Sequence, residues 1–273
     1  MRQNAKPGGS ALALLGAVLL AAAPARAEIS LSPLRQVITP AEPVATYQIS
    51  NPSRRIIEGR VSWVDLRATE TAYETATPSE RARSSAAPYL TIWPATFRLE
   101  PGARMTLVVR VKQGVSIPKG ERRSHLLIET AATRTPLRRT SGSLELDIDL
   151  GVTTPVILRS GPVTPAAHLG DTKLLRAADG RLEVETHLHP DAPVTAYGRL
   201  LARMETPGSA PKVIGRLDNV AVYPEAARRR FIVPLDVSQL PGGTLDLAFE
   251  GSAEAEGVAF ANRRFEIAPS TAP

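Results

Sequence analysis

Apolar and polar residues alternate strictly along the stretch Ser143–Arg159. The apolar residues at every second position are Leu144, Leu146, Ile148, Leu150 and Val152. Acidic side chains and one glycine separate them, so the period predicts a β-strand with one apolar face and one acidic face. Pro155, further along the stretch, cannot donate a ladder hydrogen bond, which favours an edge strand or a crossing between sheets.

The apolar face of this stretch has two possible destinations. Half-buried strands of antiparallel sheets commonly turn such a face into the core of their own domain. A long edge strand with an exposed apolar face is instead a template for pairing with another chain, and most proteins protect such edges. The alternation alone leaves both interpretations open.

Short β-type segments divided by turn residues fill the rest of the chain. Seven of them follow Ser160, and they are Leu174–Ala177, Leu182–His189, Val194–Met204, Val213–Val222, Arg230–Leu235, Leu245–Glu250 and Val258–Ile267. Turn signals such as Asp179-Gly180 separate them at roughly ten-residue spacing, which is typical of an immunoglobulin-like sandwich. The polar stretch Glu70–Pro88 is predicted to be a mobile loop.

The predicted fold class is all-β, with two immunoglobulin-like β-sandwich domains in series. The length of 273 residues exceeds that of most single domains. Few aromatic residues and abundant proline fit a chain of short strands and many turns. Ser160-Gly161-Pro162 marks the boundary between an N-terminal domain (28–160) and a C-terminal domain (161–273).

Residues 1–27 have the layout of a secretory signal peptide. A basic start is followed by the apolar run Ser10–Ala23 and by Ala25-Arg26-Ala27, a small-x-small cleavage site. The run is short for a membrane span, although a retained anchor is the alternative. Cleavage after Ala27 gives an exported chain that begins at Glu28.

Composition excludes several classes of function. The sequence has no cysteine, which excludes a disulfide scaffold, a thiol nucleophile and a thiolate metal site. Its formal charge of +6 falls to +3 without the signal segment, because three basic residues and no acidic residue lie there. The clusters Arg138-Arg139 and Arg228-Arg229-Arg230 are short and lack interleaved aromatics, so no nucleic-acid partner is predicted.

No arrangement of residues indicates catalysis. His187 and His189 would share one face of a strand, but two imidazoles without a third ligand do not make a zinc site. The sequence has no Gly-x-Ser-x-Gly elbow, phosphate loop or paired catalytic carboxylates. We therefore predict no enzyme activity, no catalytic residue, no metal, no cofactor and no small-molecule substrate.

Several motifs of the first predicted domain carry a family resemblance. In chain order they are Ser30-Leu31-Ser32-Pro33-Leu34-Arg35, Asn51-Pro52-Ser53, Pro94-Ala95-Thr96-Phe97-Arg98-Leu99-Glu100-Pro101-Gly102, Glu121-Arg122-Arg123-Ser124-His125-Leu126 and Leu144–Arg159. Together they resemble the periplasmic pilus-assembly chaperones (PapD-like), which have two immunoglobulin-like domains. The likeness extends from Glu28 to Ser160 and is only architectural beyond that point.

The resemblance implies a mechanism of strand donation. A pilus subunit is an incomplete sandwich, and the chaperone lends it an alternating strand whose apolar side chains fill the open groove. Leu146, Ile148 and Leu150 match the donor positions of the family. Arg35 matches one of two cations that hold the C-terminal carboxylate of the subunit, through a charge-assisted contact.

This sequence departs from the family at two charged positions. The second cationic anchor, a lysine in the family, falls on Pro155, and Arg159 is the nearest replacement in the sequence. The acidic member of the family's interdomain ion network falls on Arg123. The residues predicted to bind a subunit are Arg35, Leu144, Leu146, Ile148, Leu150, Val152 and Arg159.

The resemblance implies a periplasmic chaperone for incomplete β-sandwich subunits of pili or other surface structures. Its partners would be these subunits, and whether an outer-membrane usher also takes part is left open. The alternative is a structural or adhesive two-domain immunoglobulin-like protein of the envelope without chaperone activity. Such a protein would keep Leu144–Leu150 in its own core, so the exposure of these residues distinguishes the two functions.

Overall fold

The computed structural model describes residues 29–132 and 150–268. The predicted signal peptide, the stretch from Ser143 to Asp149 and the cluster Arg138-Arg139 lie outside the described residues. Of Leu150, only the backbone is described.

Short strands make up most of the described chain. In its first half they are β1 (Ser30–Ser32), β2 (Gln36–Ile38), β3 (Val44–Ser50), β4 (Ile57–Val64), β5 (Leu66–Ala68), β6 (Tyr73–Thr75), β7 (Leu90–Trp93), β8 (Thr96–Leu99), β9 (Arg104–Val111), β10 (Gly120–Ala132) and β11 (Leu150–Ser160). In its second half they are β12 (Ala167–Arg176), β13 (Leu182–Pro190), β14 (Ala196–Glu205), β15 (Lys212–Val222), β16 (Arg229–Pro234), β17 (Gly243–Gly251) and β18 (Ala259–Ile267). The described helical elements are α1 (Pro78–Ser84) and the 3-10 turns Ala87–Tyr89 and Ala253–Ala255.

The first-half strands form a β-sandwich. Strands β1, β3, β9 and β7 make one sheet in that order, and β2, β11, β10, β4 and β8 make the second. These orders match the A-B-E-D and G-F-C sheets of immunoglobulin domains. Side chains of both sheets, such as Tyr47 of β3 and Leu126 of β10, are fully buried in one hydrophobic cluster, which places the core between the sheets.

The second-half strands form another sandwich with its own core. Its sheets have the orders β12-β13-β16 and β15-β14-β17-β18. Leu182, Val184 and Leu188 of β13 are buried at alternate positions and join Phe249 of β17 in a second cluster. Each of the seven predicted segments corresponds to one strand, and the prediction of an all-β chain with two immunoglobulin-like sandwiches is confirmed. The boundary at residue 160 stays a prediction.

The prediction of a mobile loop over Glu70–Pro88 is wrong. This region contains β6, which is the second strand of the β5–β6 hairpin, followed by helix α1 and a 3-10 turn. Helix α1 begins with a capping box, in which Thr77 and Glu80 each bond the other's backbone N–H and Pro78 occupies the first turn.

Within residues 29–132 and 150–268, no helix is long and apolar enough to span a membrane.

Asn51 joins two of the motifs that carry the family resemblance. Its side chain is completely buried. The amide nitrogen donates to the carbonyl oxygens of Arg55, Leu99 and Glu100 over 2.7, 3.1 and 3.2 Å. The turn after β3 and the segment around β8 are thereby fixed to each other through one satisfied polar group.

Candidate functional site

Strand β11 has one unpaired edge in its first half. Strand β10 pairs with β11 along its whole length, from Leu150 to Ser160. On the other side, the parallel strand β2 pairs only with Val156–Leu158. Among the described residues, no strand pairs with this side of Leu150–Pro155. The expectation that Pro155 marks an edge or a crossing between sheets agrees with this arrangement of the described strands.

The apolar face of β11 contributes to the first core. Val152 is half-buried and packs against it, and Val156 and Leu158 on the same face are fully buried within it. Part of the Val152 surface is therefore used by its own domain. Leu144, Leu146 and Ile148 lie outside the described residues, so their assignment to a subunit-binding face stays a prediction.

Arg35 lies between β1 and β2, beside the free edge of β11. Thr154 Oγ1 donates to the Leu34 carbonyl over 2.6 Å and ties this segment to β11. The Arg35 side chain is only 6% exposed. Its Nη1 and Nη2 donate to Oε2 and Oε1 of Glu254 over 2.7 and 2.6 Å, an end-on bidentate pair. Arg35 thus bridges from the first sandwich to the second.

Arg159 meets the same carboxylate from the end of β11. Its Nη1 donates to Glu254 Oε1 over 3.1 Å, and its Nε donates to Glu121 Oε2 over 2.8 Å. The remaining Nη2 donates to the Thr195 carbonyl over 3.0 Å. Both predicted cations are therefore brought together, and Glu254 lies between them. Arg35, Arg159 and Glu254 are called the arginine site below.

Two further residues hold the arginine site in place. The guanidinium carbon of Arg35 lies 4.3 Å from the centroid of the Tyr197 ring, within the range of a cation–π contact. Glu121, whose side chain is 4% exposed, accepts from the Thr195 backbone N–H over 3.1 Å and from the Thr195 hydroxyl. Among the contacts of the arginine site and its two supporting residues described above, all except the Arg159–Glu121 pair join the first sandwich to the second.

Glu254 is ionised because of its two arginine partners. Burial alone would raise the pKa of this carboxyl, but the hydrogen bonds and charge of Arg35, together with the charge of Arg159, lower the pKa below its usual value. The carboxylate in turn neutralises one of the two positive charges. The family resemblance implies that Arg35 and a second cation hold the C-terminal carboxylate of a subunit; in this structure both cations are present but already paired with Glu254.

The β5–β6 hairpin forms a second contact between the sandwiches. Arg123 of β10 bonds the carboxylate of Glu225 and donates to the Leu66 carbonyl over 3.0 Å. Glu225 also accepts from the Ala68 backbone N–H over 2.9 Å. Burial alone would lower the pKa of Arg123, but the charge of Glu225 raises it. The position where the family has an acidic network member is thus an arginine that pairs with a glutamate.

The predicted histidine pair has no metal geometry in the described part of the chain. His187 Nε2 lies 2.9 Å from Glu70, at the hairpin contact. His189 stacks on the ring of His168 with 4.9 Å between centroids, and His168 contacts Asp191. No group of three or more His, Asp or Glu side chains in residues 29–132 and 150–268 is arranged to hold a metal ion.

No local sequence pattern indicates the acidic half of this interface. Glu254 and Glu225 are separated from Arg35 and Arg123 by 219 and 102 positions. Each lies in an ordinary polar segment between strands, so only the docking of the sandwiches brings it to its arginine. The one local hint is the glycine-bounded turn Gly251–Gly257, which carries two glutamates.

No family model matches the chain, and no curated protein matches it by sequence. Among solved structures, it is similar to the YadV chaperone, with a TM-score of 0.45 and 11% identity over 88% of this chain and 100% of that chain. For the E. coli chaperone DraB, the TM-score is 0.41 and the identity 16%, over 88% and 98% of the chains. For a complex of the SafA pilin with the SafB chaperone of Salmonella enterica, the TM-score is 0.43 and the identity is 16%, over 88% of this chain and 96% of that chain. At these TM-scores, we base the function on the residues of this chain.

Proposed function

We propose that this chain is an exported, periplasmic chaperone that binds incomplete β-sandwich subunits of pili or other surface structures. It lends them a strand made of Leu144–Leu150 and the first half of β11. Alternate apolar side chains of that strand enter the open groove of the subunit, and the backbone completes the sheet. Each Leu or Ile that becomes fully buried in this way contributes roughly 1.5–3 kcal/mol.

The observation that carries this proposal is that no strand among the described residues pairs with the second edge of β11 over Leu150–Pro155. A strand edge with free N–H and C=O groups is a template for an added strand. The alternating apolar series reaches this edge directly from its N-terminal side. Both features favour pairing with a second chain over a closed sandwich.

The arginine site supports the proposal from the end of the same edge. Arg35 directly precedes β2, the strand that takes over pairing with β11 after Pro155. An added strand that follows the free edge therefore runs toward this guanidinium. Arg35 and Arg159 already hold one carboxylate, so their chemistry fits the C-terminal carboxylate of a subunit.

One observation favours the alternative function. Val152 belongs to the alternating apolar series, yet it packs against the core of the first sandwich. A structural or adhesive envelope protein would continue this burial through Leu144–Leu150. Its free edge would then serve no partner.

Co-purification from a periplasmic extract, with identification of the partner by mass spectrometry, separates the two functions. The variants are Ile148→Asp and the control Glu145→Lys, which changes a charge on the opposite face. A charge at Ile148 should abolish the capture of a β-sandwich subunit while circular dichroism stays unchanged. The control should capture the subunit as the wild type does.

Two other results would reject the proposal. If Ile148→Asp unfolds while Glu145→Lys does not, Ile148 belongs to the core and the envelope-protein function is favoured. If Ile148→Asp is folded and retains its partner, binding uses another surface.

A further inference from the structure

Glu254 is carried by a tightly constrained turn. At its base, the Gly251 backbone N–H donates to the Val258 carbonyl over 2.7 Å. A Cβ atom at Gly251 would lie 1.9 Å from the Ala255 carbonyl oxygen, so only glycine fits there. Ala253 has a φ of 55°, a backbone region that residues with a Cβ rarely adopt. The turn therefore holds Glu254 in position at the expense of local strain.

Glu254 leaves part of the arginine site unused. Its carboxylate takes Nη1 and Nη2 of Arg35, and the buried Nε of Arg35 has no hydrogen-bond partner among the described residues. Glu254 itself is 28% exposed. Together with Arg159 it borders a largely apolar pocket of about 370 Å³, which Val37 and Phe260 also line. A carboxylate that enters through this pocket meets Arg159 and Glu254, the residue that holds Arg35.

We propose that Glu254 is an internal competitor of the arginine site: in the free protein its carboxylate occupies the position at which the carboxylate of an incoming partner binds. This inference rests on the proposed function, in which the partner is the C-terminal end of a subunit. Because Glu254 belongs to the same chain, its effective concentration at the guanidiniums far exceeds that of a free carboxylate.

Selectivity is the consequence of this competition. A small carboxylate has no other contact with which to offset the loss of the Arg35–Glu254 pair, so it stays excluded. A strand that also pairs with the edge of β11 gains the additional contacts needed to displace Glu254. The site thus opens for a partner that binds the edge and the cations together.

Acetate is the probe for a direct test on the full exported chain. The Nε–Hε resonances of Arg35 and Arg159 are followed by NMR during acetate titration of the wild type, Glu254→Ala and Glu254→Gln. We expect acetate to bind Glu254→Ala at least tenfold more tightly than the wild type. Glu254→Gln keeps the shape of the side chain without its charge and should give a smaller gain. It also decides the question if the alanine variant does not fold.

The matched control is Glu256→Ala. Glu256 lies on the same turn, but it accepts a hydrogen bond from Arg199, with 3.1 Å between Nη2 and Oε1. This variant should bind acetate as weakly as the wild type. Equal acetate affinity in the wild type and both Glu254 variants would overturn the inference, and so would failure of acetate to bind any of them.

The acetate titration and the co-purification fail independently of each other. If acetate gains access in Glu254→Ala but Ile148→Asp still captures its partner, the internal competitor stands and strand donation is rejected. If Ile148→Asp abolishes capture but removal of Glu254 does not improve acetate binding, the chaperone function stands. Glu254 is then only a clamp between the two sandwiches.

Discussion

The guanidinium of Arg123 lies over the ring of Tyr223, with 3.7 Å between the guanidinium carbon and the ring centroid. Arg123 belongs to the first sandwich, and Tyr223 follows β15 in the second. Both side chains are more than nine-tenths buried. Tyr73, from the β5–β6 hairpin, meets the Tyr223 ring edge-on at 6.0 Å. An aromatic and cationic stack therefore joins the sandwiches on the side of the hairpin.

Replacing Arg123 by methionine should lower the free energy of unfolding by about 2–3 kcal/mol, because its guanidinium, whose side chain is 8% exposed, loses the charge-assisted hydrogen bonds to Glu225 and to the Leu66 carbonyl. A double-mutant cycle with Tyr223→Leu, read by urea unfolding, should give a coupling energy of about 1 kcal/mol for the cation–π contact. The control Arg60→Met removes an arginine whose side chain is 67% exposed and should change stability by less than about 0.5 kcal/mol. If the effects of Arg123→Met and Tyr223→Leu on the free energy of unfolding were simply additive, the cation–π contact would contribute nothing to stability.

Replacing Asn51 by alanine should cost about 2–4 kcal/mol, since three backbone carbonyls lose their shared donor inside the protein. Thermal unfolding of the variant measures this loss. Asn262→Ala is the matched control, because Asn262 lies exposed on β18, and it should unfold like the wild type. Equal stability of the two variants would show that the junction of the two motifs does not depend on Asn51.

His125 should make the protein less stable in mild acid. Burial, with a smaller contribution from the charge of Arg123, lowers its pKa from 6.5 to about 3. The unfolded chain therefore takes up a proton between these values and the folded chain does not, so stability is complete above about pH 6.5 and falls as the pH falls toward 3. The loss from this group between pH 7 and pH 5 should be about 2 kcal/mol.

Chemical denaturation at the two pH values tests this in wild type and in His125→Gln. The variant removes the titrating group, so the difference in the free energy of unfolding between pH 7 and pH 5 should be about 2 kcal/mol smaller in the variant than in the wild type. The Tyr73 ring packs against the imidazole in a T-shaped arrangement, with 5.9 Å between the ring centroids. An unchanged difference would mean that His125 accepts a proton in the folded state.

Amide hydrogen exchange should distinguish the two halves of β11. In a strand that has one neighbour, alternate N–H groups point away from the ladder. We expect alternate amides within Gly151–Thr154 to exchange at least tenfold faster than those of Val156–Leu158, which lie between β10 and β2. Bound subunit should remove this difference. Uniform protection in the free protein would show that the edge is already covered.

The alternation of apolar and polar residues in the sequence predicts most of the strands in the structure. It succeeds along β3 and β13, where alternate side chains are buried, because one face of each strand packs on a core and the other meets solvent. It cannot reveal α1, whose seven residues are too few for a helical period. The Thr77–Glu80 capping box is a local signal for the start of this helix.

The candidate site was predictable only on one side. Arg35 and Arg159 could be identified because they sit within or beside motifs of the first sandwich. Their partner Glu254 could not, because a contact across 219 positions is decided by how two sandwiches pack. Nothing in the local sequence distinguishes Glu254 from Glu256, its neighbour on the same turn. The free edge of β11 likewise depends on where the three-residue strand β2 begins.

The start of β2 also limits the length and direction of anything added beside β11. Parallel pairing of Gln36 with Val156 occupies the backbone groups on that side from this residue onward. A polypeptide that pairs with the first half of β11 therefore cannot continue along this edge beyond Pro155, because β2 occupies the edge from Val156 onward. Arg35 directly precedes β2 at this point. A chain that stops there fits, whereas one that continues must leave the sheet plane. If the proposed strand donation occurs, the start of β2 would set where the terminus of the partner lies.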